Sequence, residues 1–118
     1  MKKLNFESYQ RPNGHDEFIE WLSKLPDKDQ AKLLLVIDET EEKGLLIARK
    51  MQWVKKLENN LFELRSKVST NIQRALYFHA EGDTYVITHG FTKKTQKTPT
   101  KEKEHAKIIR KEWENENR

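Results

Sequence analysis

Apolar residues recur at two different spacings along this chain, and the changes of spacing mark out its elements. Leu4 and Phe6 alternate with polar neighbours, with Tyr9 close behind, which predicts a first strand within residues 1–10. Arg11 to Gly14, with Pro12, reads as a turn. From Asn13 or Gly14 the spacing becomes helical. Asp16 and Glu17 fall in the first turn, where the helix dipole favours anions, and Phe18, Trp21, Leu22 and Leu25 form the stripe. Pro26 breaks that helix and Asp27 can cap a second one, which runs through Ala31 and Leu33 to Ile37 until Gly44 ends it. Residues 45–60 read as a loop with a short strand or a helical turn, closed by the turn signal Asn59-Asn60. Then come three strand-like runs, "LFELRSKV", "NIQRALYFHA" and "TYVITHGF", separated by Ser69-Thr70 and Glu81-Gly82. They predict an antiparallel meander. Thr98-Pro99 opens a last helix, Thr as its cap and Pro as its first residue, with Ala106, Ile109 and Trp113 as the apolar stripe and Ile108 beside it. The order predicts one α+β domain over 1–118: a small twisted, mainly antiparallel sheet, a helical hairpin packed on one face, and a C-terminal helix.

The predicted register gives the charges a geometry. A loop centred on Ser69-Thr70 sets Val68 opposite Asn71 and therefore Arg65 opposite Arg74. A loop at Glu81-Gly82 sets Ala80 opposite Asp83 and Arg74 opposite His89. Side chains alternate faces along a strand, so Arg65, Arg74 and His89 would form a row on one side. Lys67, Ile72 and Phe91 would form the next row, and Glu63, Leu76 and Ile87 the row before. Phe62, Leu64, Ala75, Tyr77 and Val86 would form the opposite, core-like face. Facing arginines destabilise a sheet unless an anion lies between them. That anion can be a carboxylate, from Glu63 or the last helix, or a phosphate, which the planar guanidinium grips with two hydrogen bonds.

Composition narrows the partners. Of 118 residues, 23 are Lys or Arg and 19 Asp or Glu, for a net charge of +4. Residues 1–60 and 102–118 each balance, so the whole excess lies in 61–101. The run "HGFTKKTQKTPTKEKE" holds five lysines and no acid before Glu102. Lys93, Lys94 and Lys97 would line the rim of the arginine face, with Phe91 open to stack a base, which describes a single-stranded RNA site. The acids from Glu102 onward can pair along the helix with Lys103, Lys107 and Arg110. His89, between arginines, should titrate below its usual value and can accept a proton; His15, His79 and His105 suggest no chemistry. The chain has no cysteine, hence no disulfide or thiolate metal site, and its histidines show no paired ligand spacing, so no metal or cofactor is expected. It has no apolar run of membrane-spanning length and no apolar stretch after Met1-Lys2-Lys3, so a cytoplasmic protein is expected.

"VKKLENNLFELR", "NIQRALYF" and "HGFTKKTQKTP" followed by a charged helix resemble the HigB-like toxins of the RelE superfamily, in the phage-derived branch. The resemblance covers about residues 54 to 110, and the upstream hairpin with "LP" between its helices fits it. It implies the toxin of a type II toxin-antitoxin system. Such a toxin is an endoribonuclease that cuts mRNA on the ribosome and is held inactive by a helix-turn-helix, HigA-like antitoxin in a hetero-oligomer. Carried onto this chain, the catalytic residues are Arg65, Arg74 and Lys93, with Lys94 beside them. Some relatives use a tyrosine or histidine near the C-terminus; this chain has no tyrosine after Tyr85, and His105 lies in the last helix, so His89 is the candidate for proton transfer and Lys93 its rival. In that chemistry the RNA 2′-hydroxyl attacks the adjacent phosphate. The protein positions the substrate and stabilises the phosphorane, while Lys67, Lys94 and Lys97 hold flanking phosphates. Two other readings share the basic face: an RNA- or ribosome-binding module without catalysis, and an assembly protein that docks an acidic partner.

Overall fold

The computed structural model describes residues 1–117. Its elements are β1 (Asn5–Ser8), α1 (Glu17–Leu22), α2 (Asp27–Lys43), α3 (Leu45–Lys50), β2 (Val54–Glu58), β3 (Leu61–Val68), β4 (Asn71–Glu81), β5 (Thr84–Lys93) and α4 (Thr100–Glu116). The five strands form one open mixed sheet in the order β1-β5-β4-β3-β2, with β1 parallel to β5 and the other neighbours antiparallel.

Local chemistry sets the boundaries. Asp16 is the N-cap of α1, accepting from Ile19 N, rather than a residue of its first turn. Pro26 and Pro99 are the residues before α2 and α4, so α2 starts one residue earlier than a capping Asp27 would place it and α4 one residue later than a capping Thr98 would. Gly44 ends α2 at φ 88°, a left-handed conformation that suits glycine, and α3 begins directly after it. Residues 45–60 therefore hold both a helical turn and a strand. β2 pairs with β3 around the Asn59-Asn60 turn.

The helical hairpin packs on one face of the sheet, and the C-terminal helix covers the face expected to lie open around the arginines. The side of the sheet bearing Leu64, Ala75, Tyr77 and Ile87 is covered by α1, α2 and α3 through Phe18, Leu22, Leu33, Val36 and Ala48. The other side is covered as well, by α4: Ala106 packs on Leu61, Leu76 and Phe91, and Ile109 on Phe78, Val86 and Tyr9. Each fully buried leucine in these layers contributes about 2–3 kcal/mol. Polar ties fasten α4 down. Arg11 donates to both oxygens of Glu112 at 2.8 and 2.9 Å, and Arg110 donates to the carbonyls of Asn59 and Asn60. The amphipathic stripe of α4 was legible in the sequence, but a stripe does not say which sheet face it will cover.

Candidate nucleic-acid interface

β3 and β4 pair in the predicted register, with Arg65 opposite Arg74 and Lys67 opposite Ile72. The two-residue connection at Ser69-Thr70 permits it, Ser69 taking φ 57°. β4 and β5 do not follow the prediction. Their turn is centred on Gly82-Asp83, one residue later than expected, and Ala80 and Thr88 are each left out of the pairing as single-residue bulges. Arg74 consequently faces Phe91, His89 faces Leu76, and Lys93 faces Ile72. The bulge at Thr88 also exchanges the next two side chains: Ile87 joins Tyr77 in the core, and Val86 lies with Phe78 beneath α4.

The anion between the arginines is Glu63. Its carboxylate is fully buried, 3.3 Å from Arg65 Nε and 3.7 Å from Arg74 Nη1. The Thr98 hydroxyl donates to it at 2.5 Å and in turn accepts from Arg74 Nη1 at 3.3 Å. Arg74 Nη2 donates to the Thr95 carbonyl. The Arg74 side chain has no solvent exposure, and its Nε and Glu63 Oε2 have no hydrogen-bond partner among the described residues. Burial pulls the Arg74 pKa below the ordinary guanidinium range, with Glu63 opposing and Arg65 adding to the shift. Arg74 is thus a floor residue beneath the 94–99 loop. Arg65 stays accessible, its side chain 17 % exposed, with Nη2 donating to Gln96 Oε1 at 2.5 Å.

His89 is not beside the arginines. It lies under α4, stacked on Phe91 at 6.0 Å and edge-on to His105 at 4.8 Å. Nδ1 is 3.0 Å from Thr88 Oγ1, and Nε2 is 3.1 Å from Glu102 Oε1. Its pKa is lowered, as expected, but burial is the main cause, and His105 replaces the arginines as the repelling group while Glu102 opposes. His105, read as bland, joins this network through Glu17 at 2.7 Å. Phe91 is buried among Leu61, Leu76 and Ala106, so it is not open to stack a base. Lys93 is half-buried at the end of β5, while Lys94 and Lys97 are exposed in the loop.

The accessible chemistry gathers around Arg65, which lines two clefts, with a third adjoining them through Lys55, Lys56 and Gln96. One, of about 450 Å³, is lined by Lys32, Arg65, Lys67, Gln52, Trp53, Ser66 and Gln96 among others. A second, of about 610 Å³, is lined by Arg49, Lys55, Lys56 and Arg65 with Gln52 and Val54. A third, of about 340 Å³, adds Lys97 and Lys103 to Lys55, Lys56 and Gln96. The linings of the three hold eight Lys or Arg residues and no Asp or Glu. Among the described residues, only Arg65 and Lys103 of the eight have a carboxylate within ion-pair distance. Such a concave cationic surface focuses field and attracts polyanions. Sequence reasoning missed Lys32, Arg49, Lys55 and Lys56, because block counting cancelled them against acids elsewhere in residues 1–60. For Lys55 alone a signal existed: reading "VKKLE" as a strand paired around Asn59-Asn60 sets Lys55 opposite Glu63, beside the arginine row.

Among the described residues no cluster of three or more His, Asp or Glu is arranged to hold a metal ion, and no helix is long and apolar enough to cross a membrane. The family model "Phage derived protein Gp49-like (DUF891)" matches residues 20–111, and the chain belongs to that family, which is associated with toxin-antitoxin systems. No curated protein matches the chain.

Proposed function

We propose that this member of the Gp49-like family is the toxin of a type II toxin-antitoxin pair, with a RelE-like fold and HigB-like activity. It would be an endoribonuclease that cuts mRNA on the ribosome and is restrained by a helix-turn-helix antitoxin. The observation that carries the reading is the surface of eight cations in three adjoining clefts whose linings hold no acid. A phosphodiester chain supplies the anions this surface lacks.

In the proposed chemistry the RNA 2′-hydroxyl attacks the adjacent phosphorus in line. The bond to the 5′-oxygen of the next nucleotide breaks, leaving a cyclic phosphate and a free 5′-hydroxyl. Arg65 stabilises the phosphorane, a role whose loss typically costs about 100-fold or more in rate. Arg74 acts as a positioning residue: it shares Glu63 with Arg65 and ties the floor to Thr95 and Thr98. Lys93 rather than His89 hands a proton to the departing 5′-oxygen, and water takes up the 2′-hydroxyl proton and returns one to Lys93. Lys93 lies in the Lys67–Ile72–Lys93 row next to the arginines, whereas both ring nitrogens of His89 are engaged under α4. Lys67, Lys94 and Lys97 hold flanking phosphates, and Trp53 replaces Phe91 as the surface for base stacking.

One observation favours a second reading. Arg74 and His89, two of the four residues nominated for chemistry, are buried, as they would be in an RNA- or ribosome-binding module without catalysis. Expression of the chain alone in a bacterium, with and without Arg65→Ala, separates the two. The toxin reading expects growth arrest and new 5′-hydroxyl mRNA ends with the native chain and neither with the variant. Arrest without new ends supports the binding module, and equal arrest by both versions overturns the site.

A further inference from the structure

Between the end of β5 and the start of α4, residues 94–99 cross over the arginines. This segment has little of its own to hold it. No backbone–backbone hydrogen bond of the turns and loops involves residues 94–98, and Lys94, Thr95, Gln96 and Lys97 are exposed, with Thr98 the one buried side chain. Among the described residues its hydrogen bonds run to three side chains of the sheet. Arg74 Nη2 donates to the Thr95 carbonyl and Arg74 Nη1 to Thr98 Oγ1 at 3.3 Å. Thr98 Oγ1 donates to Glu63 Oε1, and Arg65 Nη2 to Gln96 Oε1, both at 2.5 Å. These are poor partners for two cations. Both guanidinium groups share the single carboxylate of Glu63, and the segment adds only a carbonyl, a hydroxyl and an amide, all neutral. Arg74 Nε, buried beneath it, has no partner among the described residues. A segment with exposed side chains and no backbone ladder opens at low cost.

Resting on the RNA reading above, we propose that residues 94–99 are an autoinhibitory strap, closed over Arg65 and Arg74 in the free chain and lifted when a phosphodiester takes over their guanidinium donors. A phosphate brings the negative charge that the carbonyl, hydroxyl and amide lack, and it meets the planar guanidinium with two hydrogen bonds at once. Lifting the strap uncovers Arg74, whose idle Nε then gains an acceptor. Lys94 and Lys97 move with the strap and close on the flanking phosphates. A ligand shifts such an equilibrium only by preferring one form, and a phosphate prefers the open form because Arg74 is within its reach only there. The strap therefore sets affinity as well as access: where the open form is a minor fraction of the free chain, apparent affinity falls by that fraction.

The test uses a 2′-O-methyl hexauridine, whose blocked 2′-oxygen cannot attack phosphorus, so binding is read without cleavage. Affinity is measured by fluorescence anisotropy for the native chain and for Gln96→Ala, an exposed position whose truncation frees the strap from Arg65. Removing a polar side chain beside an RNA site ordinarily weakens binding or leaves it unchanged. Here it should tighten binding by about fivefold, the worth of one hydrogen bond lost from the closed form. In the same titration the guanidinium signals of the isotope-labelled native chain are followed by NMR, and those of Arg74 should shift at saturation along with those of Arg65. Binding by Gln96→Ala no tighter than the native chain's, or RNA bound with the Arg74 signals unmoved, overturns the strap and leaves the RNA reading standing. Failure of both chains to bind overturns the two together.

Discussion

Glu63 serves two guanidinium groups, and that inequality predicts an asymmetric response to mutation. Arg74→Met removes one cation and leaves the Glu63 carboxylate with Arg65 Nε at 3.3 Å and the Thr98 hydroxyl at 2.5 Å. Glu63→Gln keeps the shape but leaves Arg74 as a buried cation with only Thr95 and Thr98 as partners. Stranding a buried charge costs about 3–5 kcal/mol, against a total stability of about 5–15 kcal/mol for a domain. Arg74→Met, which strands none, should cost about half as much. In urea, with a slope of about 1.5 kcal/mol per molar, Glu63→Gln should lower the midpoint by about 2 M and Arg74→Met by about 1 M. Trp21, Trp53 and Trp113 provide the fluorescence signal. The double variant should be more stable than the two single losses add up to, by about 1 kcal/mol or more, because it removes the stranded cation together with its partner. An Arg74→Met as costly as Glu63→Gln, or strict additivity, would refute the shared-carboxylate account. The same reasoning makes Arg65→Ala the cleaner probe of activity, since loss of toxicity in an Arg74 variant is confounded by lost stability.

Other outcomes follow from single contacts. A Cβ at Gly90 would sit 2.2 Å from two ring carbons of Trp21, so Gly90→Ala should overpack the α1–β5 contact by about 1–3 kcal/mol and lower Tm by about 5 °C or more, with partial recovery on adding Trp21→Leu. His89 has a folded pKa below its usual 6.5, so its contribution to stability is complete above about pH 6.5 and is lost as pH falls, when the unfolded chain takes up the proton first. Unfolding midpoints measured from pH 7.5 to 5 should decline, and His89→Gln should flatten the decline; an unchanged slope would remove His89 as its source. Lys55→Ala and Lys56→Ala should each reduce the slope of log affinity against log salt for single-stranded RNA by about 0.7, and variants that leave the slope unchanged would remove those lysines from the interface.

What the sequence disclosed depended on how local the determinant was. The β3–β4 register followed from a two-residue loop and alternation alone, so the Arg65–Arg74 pairing was legible. The β4–β5 register was not. A turn shifted by one residue and bulges at Ala80 and Thr88 moved His89 away from the arginines and Ile87 into the core, and bulges leave no mark in periodicity. The burial of Arg74 depended on the side chosen by α4 and on the return of Thr95 and Thr98 over the sheet, both long-range outcomes. α3 and β2 were ambiguous because "LLIARK" is too short for a helical period to declare itself. The cleft's largest surprise, the contribution of Lys32, Arg49, Lys55 and Lys56, arose because folding sorts charge by face whereas counting sorts it by position along the chain.

The most direct measurement is a photocrosslink. An RNA oligonucleotide carrying 4-thiouridine is irradiated with the native chain, and the attached peptides are identified by mass spectrometry. The account predicts attachment within residues 49–56 and 65–67, with Trp53 the foremost acceptor, and loss of the crosslink on Arg65→Ala. Attachment concentrated on the outer face of α2 around Leu34 and Leu35, or unaffected by Arg65→Ala, would contradict it.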